Sequence, residues 1–344
     1  MIIAVIALFC LASVFSLLKF GTRINLFIFI LMGLLLFLLA TFRDGNAVRD
    51  YRIYVDMYSV VDSHENMGGW VVEYSFFLIA MFVKHVLIDN ILFLFAIYAL
   101  LGIALKFLAV RELTGLIFLS MVIYISNFYI LHEFTQIRVG VSSGFMLLCI
   151  NPINERNFKR FIIFTCCALF FHYSAILLFI LWFFRNDRIN KYIYILIIPL
   201  SFIFYFLQIN IISVLIHLIP IDYIQQRYNI YLQKQQEMNV FNPVILAKCV
   251  IYYVILWKSK LIEKQNKYVN LLLKFEALSL SSFILFSQIP AFSVRISQFL
   301  GIVEIILIPL VYYAFNPKIL SKSLVVFIGL CMLLINIFYS KLIV

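Results

Sequence analysis

The sequence predicts an all-α polytopic membrane protein, a bundle of about 10 to 12 crossing helices. Three observations carry that prediction. Of 344 residues, 65% are hydrophobic and only 12% charged, and the mean hydropathy is +1.06, far outside the range of an ordinary soluble domain. Apolar runs recur from one end to the other, and a helix satisfies its own backbone within hydrocarbon. The helix breakers are sparse, with 11 Gly and 7 Pro against 37 Phe and 20 Tyr.

The elements follow in order. Ile2–Leu18 has no basic region before it and no A-x-A site after it, so it reads as a retained helix rather than a signal peptide. Further apolar runs are Ile24–Phe42, Tyr74–Leu87, Ile91–Leu105, Leu116–Leu131, Val139–Ile150, Phe161–Phe184 and Tyr192–Leu207. Ile211–Ile219, Val244–Trp257, Val269–Phe286, Ile296–Phe315 and Leu324–Tyr339 complete the series. Several fall short of the roughly 20 residues a crossing needs and are expected to be tilted, fused or re-entrant.

The net charge of +11 lies in short clusters between these runs, where Lys and Arg mark cytoplasmic loops, so nucleic acid is not an expected partner. Lys19 with Arg23, the run Lys258–Lys267, and Lys318 with Lys322 read as cytoplasmic. The segments 43–73 and 208–242 then become two long periplasmic loops of a single membrane domain over residues 1–344. Counting every run as one crossing leaves at least one of Asn151–Arg160 and Arg185–Lys191 on an unexpected side. The six cysteines show no C-x-x-C spacing, so neither a disulfide framework nor a metal site is indicated. No internal repeat is evident.

Polar residues concentrate in a few places. Tyr51, Tyr54 and Tyr58 share one helical face, with Asp50 one turn before Tyr54. This spacing predicts an amphipathic segment resting at the membrane interface with its aromatic side toward lipid, or simply an aromatic belt. Arg43, Arg49 and Arg52 alternate there with Asp44, Asp50 and Asp56, and Glu73 stands at the mouth of the next run. In "HEFTQIRVGVSSG", Gln136, Gly140 and Gly144 fall at i, i+4 and i+8, a spacing that admits a close neighbouring helix. Arg138 in that stretch either snorkels, pairs with Glu133, or awaits an anion.

His172 stands near the middle of Phe161–Phe184, as a neutral hydrogen-bonded histidine or as a functional group. Arg295 precedes Gln298 by one turn, and Glu304 is expected to pair with Lys248 or Lys274. Arg227, flanked by Gln225, Gln226, Tyr228 and Tyr231, suits a polar, ring-bearing ligand. The absence of G-x-x-x-x-G-K-[ST], G-x-S-x-G, H-E-x-x-H and D-x-D argues against ATP hydrolysis, serine-hydrolase chemistry and zinc hydrolysis.

Taken as an ordered set, Arg43, Gly45, Asp50, Tyr51 and Tyr54, then Glu73 with Phe76, "QIRVGVSSG" with Arg138, and "FHYSA" with His172 and Ser174 resemble the EpsG-type polysaccharide polymerases, relatives of the Wzy O-antigen polymerases. The motif order covers about the first 185 residues, and Val139 stands where that family often has Gln. The resemblance implies a GT-C-like membrane glycosyltransferase of the bacterial inner membrane, with its active site facing the periplasm. It implies transfer of a glycan from undecaprenyl pyrophosphate onto another lipid-linked repeat unit, without metal or cofactor. The implied partners are that lipid-linked oligosaccharide, membrane lipids, and a chain-length regulator and flippase of the same pathway.

The chemistry suits these residues. Arginines can hold a pyrophosphate leaving group through charge-assisted bonds, and an acceptor hydroxyl needs one general base. Asp50, Glu73 and His172 are the candidate bases. Arg43, Arg138, Arg227, Arg295, Tyr51, Tyr54, Gln136 and Gln298 are the candidate binding residues. A lipid-linked oligosaccharide flippase and an O-antigen ligase are the competing readings.

Overall fold

The computed structural model describes residues 1–61, 73–186, 189–209 and 238–343. Among these the chain is helical, with one isolated antiparallel bridge between Val48 and Ile343. Among the described residues five helical segments are long and apolar enough to cross a membrane: Thr22–Thr41, Ile91–Leu113, Ile117–Thr135, Pro290–Ala314 and Lys318–Tyr339. Ile2–Leu17, Tyr74–Val86 and Lys191–Phe206 are apolar but shorter. The protein is an all-α polytopic membrane protein. Arg227 and most of the segment 208–242 lie outside the described residues.

The chain forms two compact units, Met1–Phe183 with Glu304–Val344, and Phe184–Val303. The first begins with α1 (Ile2–Leu17), α2 (Thr22–Thr41), α3 (Tyr51–Ser59), α4 (Tyr74–Val86) and α5 (Ile91–Leu113). It continues with α6 (Ile117–Ile123), α7 (Ile137–Glu155) and α8 (Phe158–Phe171). α5 packs against α2 and α7, and α7 against α8. Asparagines start several helices: Asn90 accepts from the Leu92 amide at 2.9 Å and Asn157 from the Arg160 amide at 3.1 Å, each satisfying an otherwise orphaned donor. Gly144 brings α7 so close to α5 that a Cβ there would sit 2.7 Å from Leu105 Cβ, the close approach its spacing suggests.

α6 runs on as a π-helix over Tyr124–Thr135. Gln136 then leaves helical geometry (φ −103°, ψ 57°) before the chain re-enters helix at Ile137. A π-helix inside an otherwise α-helical span recurs at functional sites. Beneath this break lies an ion pair absent from the sequence reading. Lys106 Nζ donates to Glu133 Oε1 at 2.6 Å and to the Gly140 carbonyl at 2.7 Å, and the Tyr124 hydroxyl donates to the same carboxylate oxygen at 2.9 Å. Both charged side chains are only 1% exposed. Glu133 therefore neutralises Lys106 rather than pairing with Arg138.

Two expectations are corrected. The run Phe161–Phe184 is not one crossing with His172 at its middle. α8 ends at Phe171, and the chain returns so that the Trp182 ring lies 4.8 Å from Phe161 and its carbonyl accepts from Arg156 at 2.6 Å. His172 is the apex of this helical hairpin. α4 is one of the short runs expected to be tilted, fused or re-entrant: its 13 residues span about 20 Å at 1.5 Å each, against a hydrocarbon core of about 30 Å. Finally, the aromatic face of α3 turns into the protein. Tyr54 and Tyr58 are buried against Phe76, Phe95 and Tyr98, because a helix between α2 and α4 gains more by closing their polar end than by lying in lipid.

Within the first unit the charged helix ends lie near one another. Arg160 and Asn151 both reach Glu112, at 3.2 and 2.6 Å, so Asn151–Arg160 lies at the end of α5. Phe29 stacks on Phe107 at 4.3 Å, which carries the Arg23 end of α2 to the same side, and Lys322 donates to the Ser16 carbonyl at 2.6 Å. The basic termini of the first unit thus gather at one end.

In the second unit Val269–Leu285 packs against Lys191–Phe206, Pro243–Glu263 and Pro290–Leu300. Asn242 accepts from the Ile245 amide at 3.0 Å ahead of Pro243 at the first helical position. Arg185, Asn186 and Lys191 meet the 257–274 stretch: Lys274 donates to the Arg185 carbonyl at 2.5 Å and Asn186 to that of Lys267 at 2.6 Å.

Candidate functional site

At the end of the first unit opposite its basic termini, most of the singled-out polar residues come together. The break after the π-helix sets Arg138 in the first turn of α7. Glu73 caps the start of α4, and His172 crowns the hairpin. Arg138 Nη1 donates to Glu73 Oε2, and the other oxygen of Glu73 lies 3.5 Å from His172 Nε2. His172 Nδ1 accepts the Ser174 amide at 3.2 Å, so the neutral ring carries its proton on Nε2, toward Glu73. The three side chains form one fixed chain, with Glu73 engaged at both oxygens.

Aromatic rings wall this chain. The Arg138 guanidinium lies 5.9 Å from both the Tyr54 and Phe76 centroids, a cation–π contact. The Tyr54 hydroxyl donates to the Thr135 carbonyl at 2.8 Å, which ties α3 to the end of the π-helix. Asp50, at the start of α3, is half-buried. Burial pushes its carboxyl above the ordinary value of 3.8, opposed by Arg49 and Arg138. Among the described residues it has no hydrogen-bond partner for its carboxylate, in contrast to Glu73.

Arg43 is nearly buried. Its Nε donates to the Ala40 carbonyl at 2.7 Å, its Nη1 to the Phe134 carbonyl at 2.8 Å, and its guanidinium covers the Phe95 ring at 4.2 Å. Burial lowers its pKa to about 10, so it stays charged at neutral pH. Its Nη2 is buried with no hydrogen-bond partner among the described residues. Arg43 joins α2, the π-helix and α5 at the site's edge.

Beside Tyr51 a cavity of about 370 Å³ opens, lined by Gly45, Asn46, Arg52, Val55 and Asp56 as well. A Cβ on Gly45 would meet the Tyr51 ring at 2.6 Å, so glycine is needed for this ring to stand where it does. Arg52 and Asp56 belong to the Arg/Asp cluster the sequence singled out, whereas Asn46 and Val55 were not; their signal was position inside that loop. Gln136, half-buried, fills the break before α7. Arg295 and Gln298 lie in the second unit on Pro290–Leu300, exposed and half-buried respectively. Glu304 accepts from Asn127 at 2.7 Å. Among the described residues no cluster of His, Cys, Asp and Glu could hold a metal ion.

Comparison with known proteins adds one finding. No curated protein and no solved structure matches the chain. The model of the EpsG family matches residues 25–344, so the match extends well past the hairpin, through the second unit to the last helix. With the conjunction of Arg138, Glu73 and His172 at one polar end and this match over nearly the whole length, the chain belongs to the EpsG family, a family of polysaccharide-polymerase type.

Proposed function

We propose that the protein is an O-antigen or related polysaccharide polymerase of the bacterial inner membrane. It transfers a glycan from undecaprenyl pyrophosphate onto the terminal sugar of a second lipid-linked repeat unit, at the periplasmic face. The observation that carries this reading is the cation Arg138, held in one orientation by Glu73, beside a half-buried Asp50 whose carboxylate has no hydrogen-bond partner among the described residues. Sidedness is supported by the basic termini at the opposite end, which the positive-inside tendency assigns to the cytoplasm.

The chemistry divides among these groups. The acceptor hydroxyl attacks the anomeric carbon while the carbon–oxygen bond to pyrophosphate breaks, and the leaving group departs with the bonding electrons. Arg138 has further N–H donors besides the one Glu73 takes, and these bind the phosphate oxygens where charge accumulates. Asp50 takes the acceptor proton; a carboxyl raised by burial is a stronger base than an ordinary aspartate. Glu73 and His172 act through Arg138, since both Glu73 oxygens are engaged and His172 offers no free lone pair. Tyr51 and its cavity supply a ring face and polar edges for a sugar. Arg227 and Arg295 take no step in this mechanism.

The test is Arg138→Ala in the producing cell. Polymer should disappear while single capped repeats still reach the surface and protein levels hold. A flippase would instead leave no repeat exposed, and unchanged chain length would remove Arg138 from the site.

A further inference from the structure

A second polar hollow lies far from this chemistry in sequence. In the second unit, a cleft of about 730 Å³ opens where Lys191–Phe206 begins and Pro243–Glu263 ends. Lys191, Lys260, Asn190, Ser259, Glu263 and Asn270 supply its polar walls. Lys191 is anchored, donating to the Trp257 carbonyl at 3.1 Å, which leaves two of its ammonium protons. Lys260 has no partner among the described residues. Asn270, only 2% exposed, donates to Glu263 Oε1 at 2.9 Å and fixes that carboxylate to the wall.

Two ammonium groups lining one cleft repel each other unless an anion lies between them, and a single carboxylate leaves the lining net positive. The rim has a different character. Tyr192, 80% exposed, and the exposed Ile195 line it together with Ile189. An aromatic and aliphatic rim around a cationic floor is the pattern of a membrane–water interface. A free phosphate would use the floor alone, whereas a phospholipid would use both, its acyl chains along the rim and its phosphate on the lysines. Headgroup hydroxyls would donate to Glu263 and the asparagines.

We infer that this cleft binds the phosphate of an anionic, hydroxyl-bearing phospholipid such as phosphatidylglycerol. The inference is independent of the polymerase reading. It is tested by native mass spectrometry of the full-length protein in detergent, titrated with phosphatidylglycerol or phosphatidylcholine, with and without millimolar inorganic phosphate. Lys191→Ala/Lys260→Ala should lower phosphatidylglycerol occupancy roughly tenfold. Lys258→Ala, whose ammonium lies 4.2 Å from the Trp257 ring and which does not line the cleft, should leave it unchanged. The inference is overturned if the double variant binds as the parent does, if Lys258→Ala loses as much, or if phosphatidylcholine binds equally. Displacement by inorganic phosphate would overturn the lipid and assign the cleft to a soluble phosphate.

Discussion

Replacing Arg138 by Ala removes the cation that faces Glu73, a carboxylate whose side chain is 8% exposed. Exposed ion pairs are worth about 0–1 kcal/mol, and stripping a partner from a buried pair costs about 3–5 kcal/mol. The pair lies between those limits: Arg138 is 20% exposed, and His172 stands 3.5 Å from the other oxygen of Glu73 to take up part of its charge. The expected loss is about 2 kcal/mol, a fall in Tm of roughly 3 °C for a chain of this length, read by thermal unfolding of the purified protein in detergent. Adding Glu73→Gln removes the stranded charge, so Arg138→Ala/Glu73→Gln should regain more than half of that loss. Polymer synthesis should not return, because the phosphate-binding cation is still missing. Strictly additive destabilisation in the double variant, or polymer made by it, would refute the reasoning.

Asp50→Asn should abolish elongation, and the acid limb of the parent's pH–rate profile should lie above the ordinary aspartate value of 3.8, since burial raises this carboxyl. A folded-state pKa above the unfolded one means that stability falls as pH rises through that interval. Asp50→Asn should therefore show a smaller stability loss over the same interval in pH-dependent denaturation. Lys106→Met strands Glu133 at 1% exposure and should cost about 3–5 kcal/mol, most of it recovered by Lys106→Met/Glu133→Leu; a double variant no more stable than the single would contradict this. Gly144→Ala forces its Cβ toward Leu105 Cβ and should cost about 1–3 kcal/mol in the same unfolding assay.

The helical class and the crowding of charges around α3 were legible because composition and one-turn spacing are local properties. Which way a face turns is not local. Tyr51, Tyr54 and Tyr58 do share a face, but only the packing of Phe76, Phe95 and Tyr98 decides that it points inward. The hairpin at His172 was hidden because its two arms are equally apolar, so hydropathy runs through the turn without a break. Lys106 escaped notice at the edge of a run that continues to Leu113. The Arg138–Glu73 pair joins residues from α7 and the start of α4, and neither motif names its partner. Sequence placed both residues among the candidates, and folding alone could join them.

Purified protein supplied with undecaprenyl-pyrophosphate-linked repeat units, without ATP or added metal, tests the central claim most directly. A ladder of longer lipid-linked glycans should form, releasing one undecaprenyl pyrophosphate per added unit, and Asp50→Asn should yield none. Movement of the lipid-linked repeat across a reconstituted bilayer with no elongation would contradict the polymerase and point to a flippase.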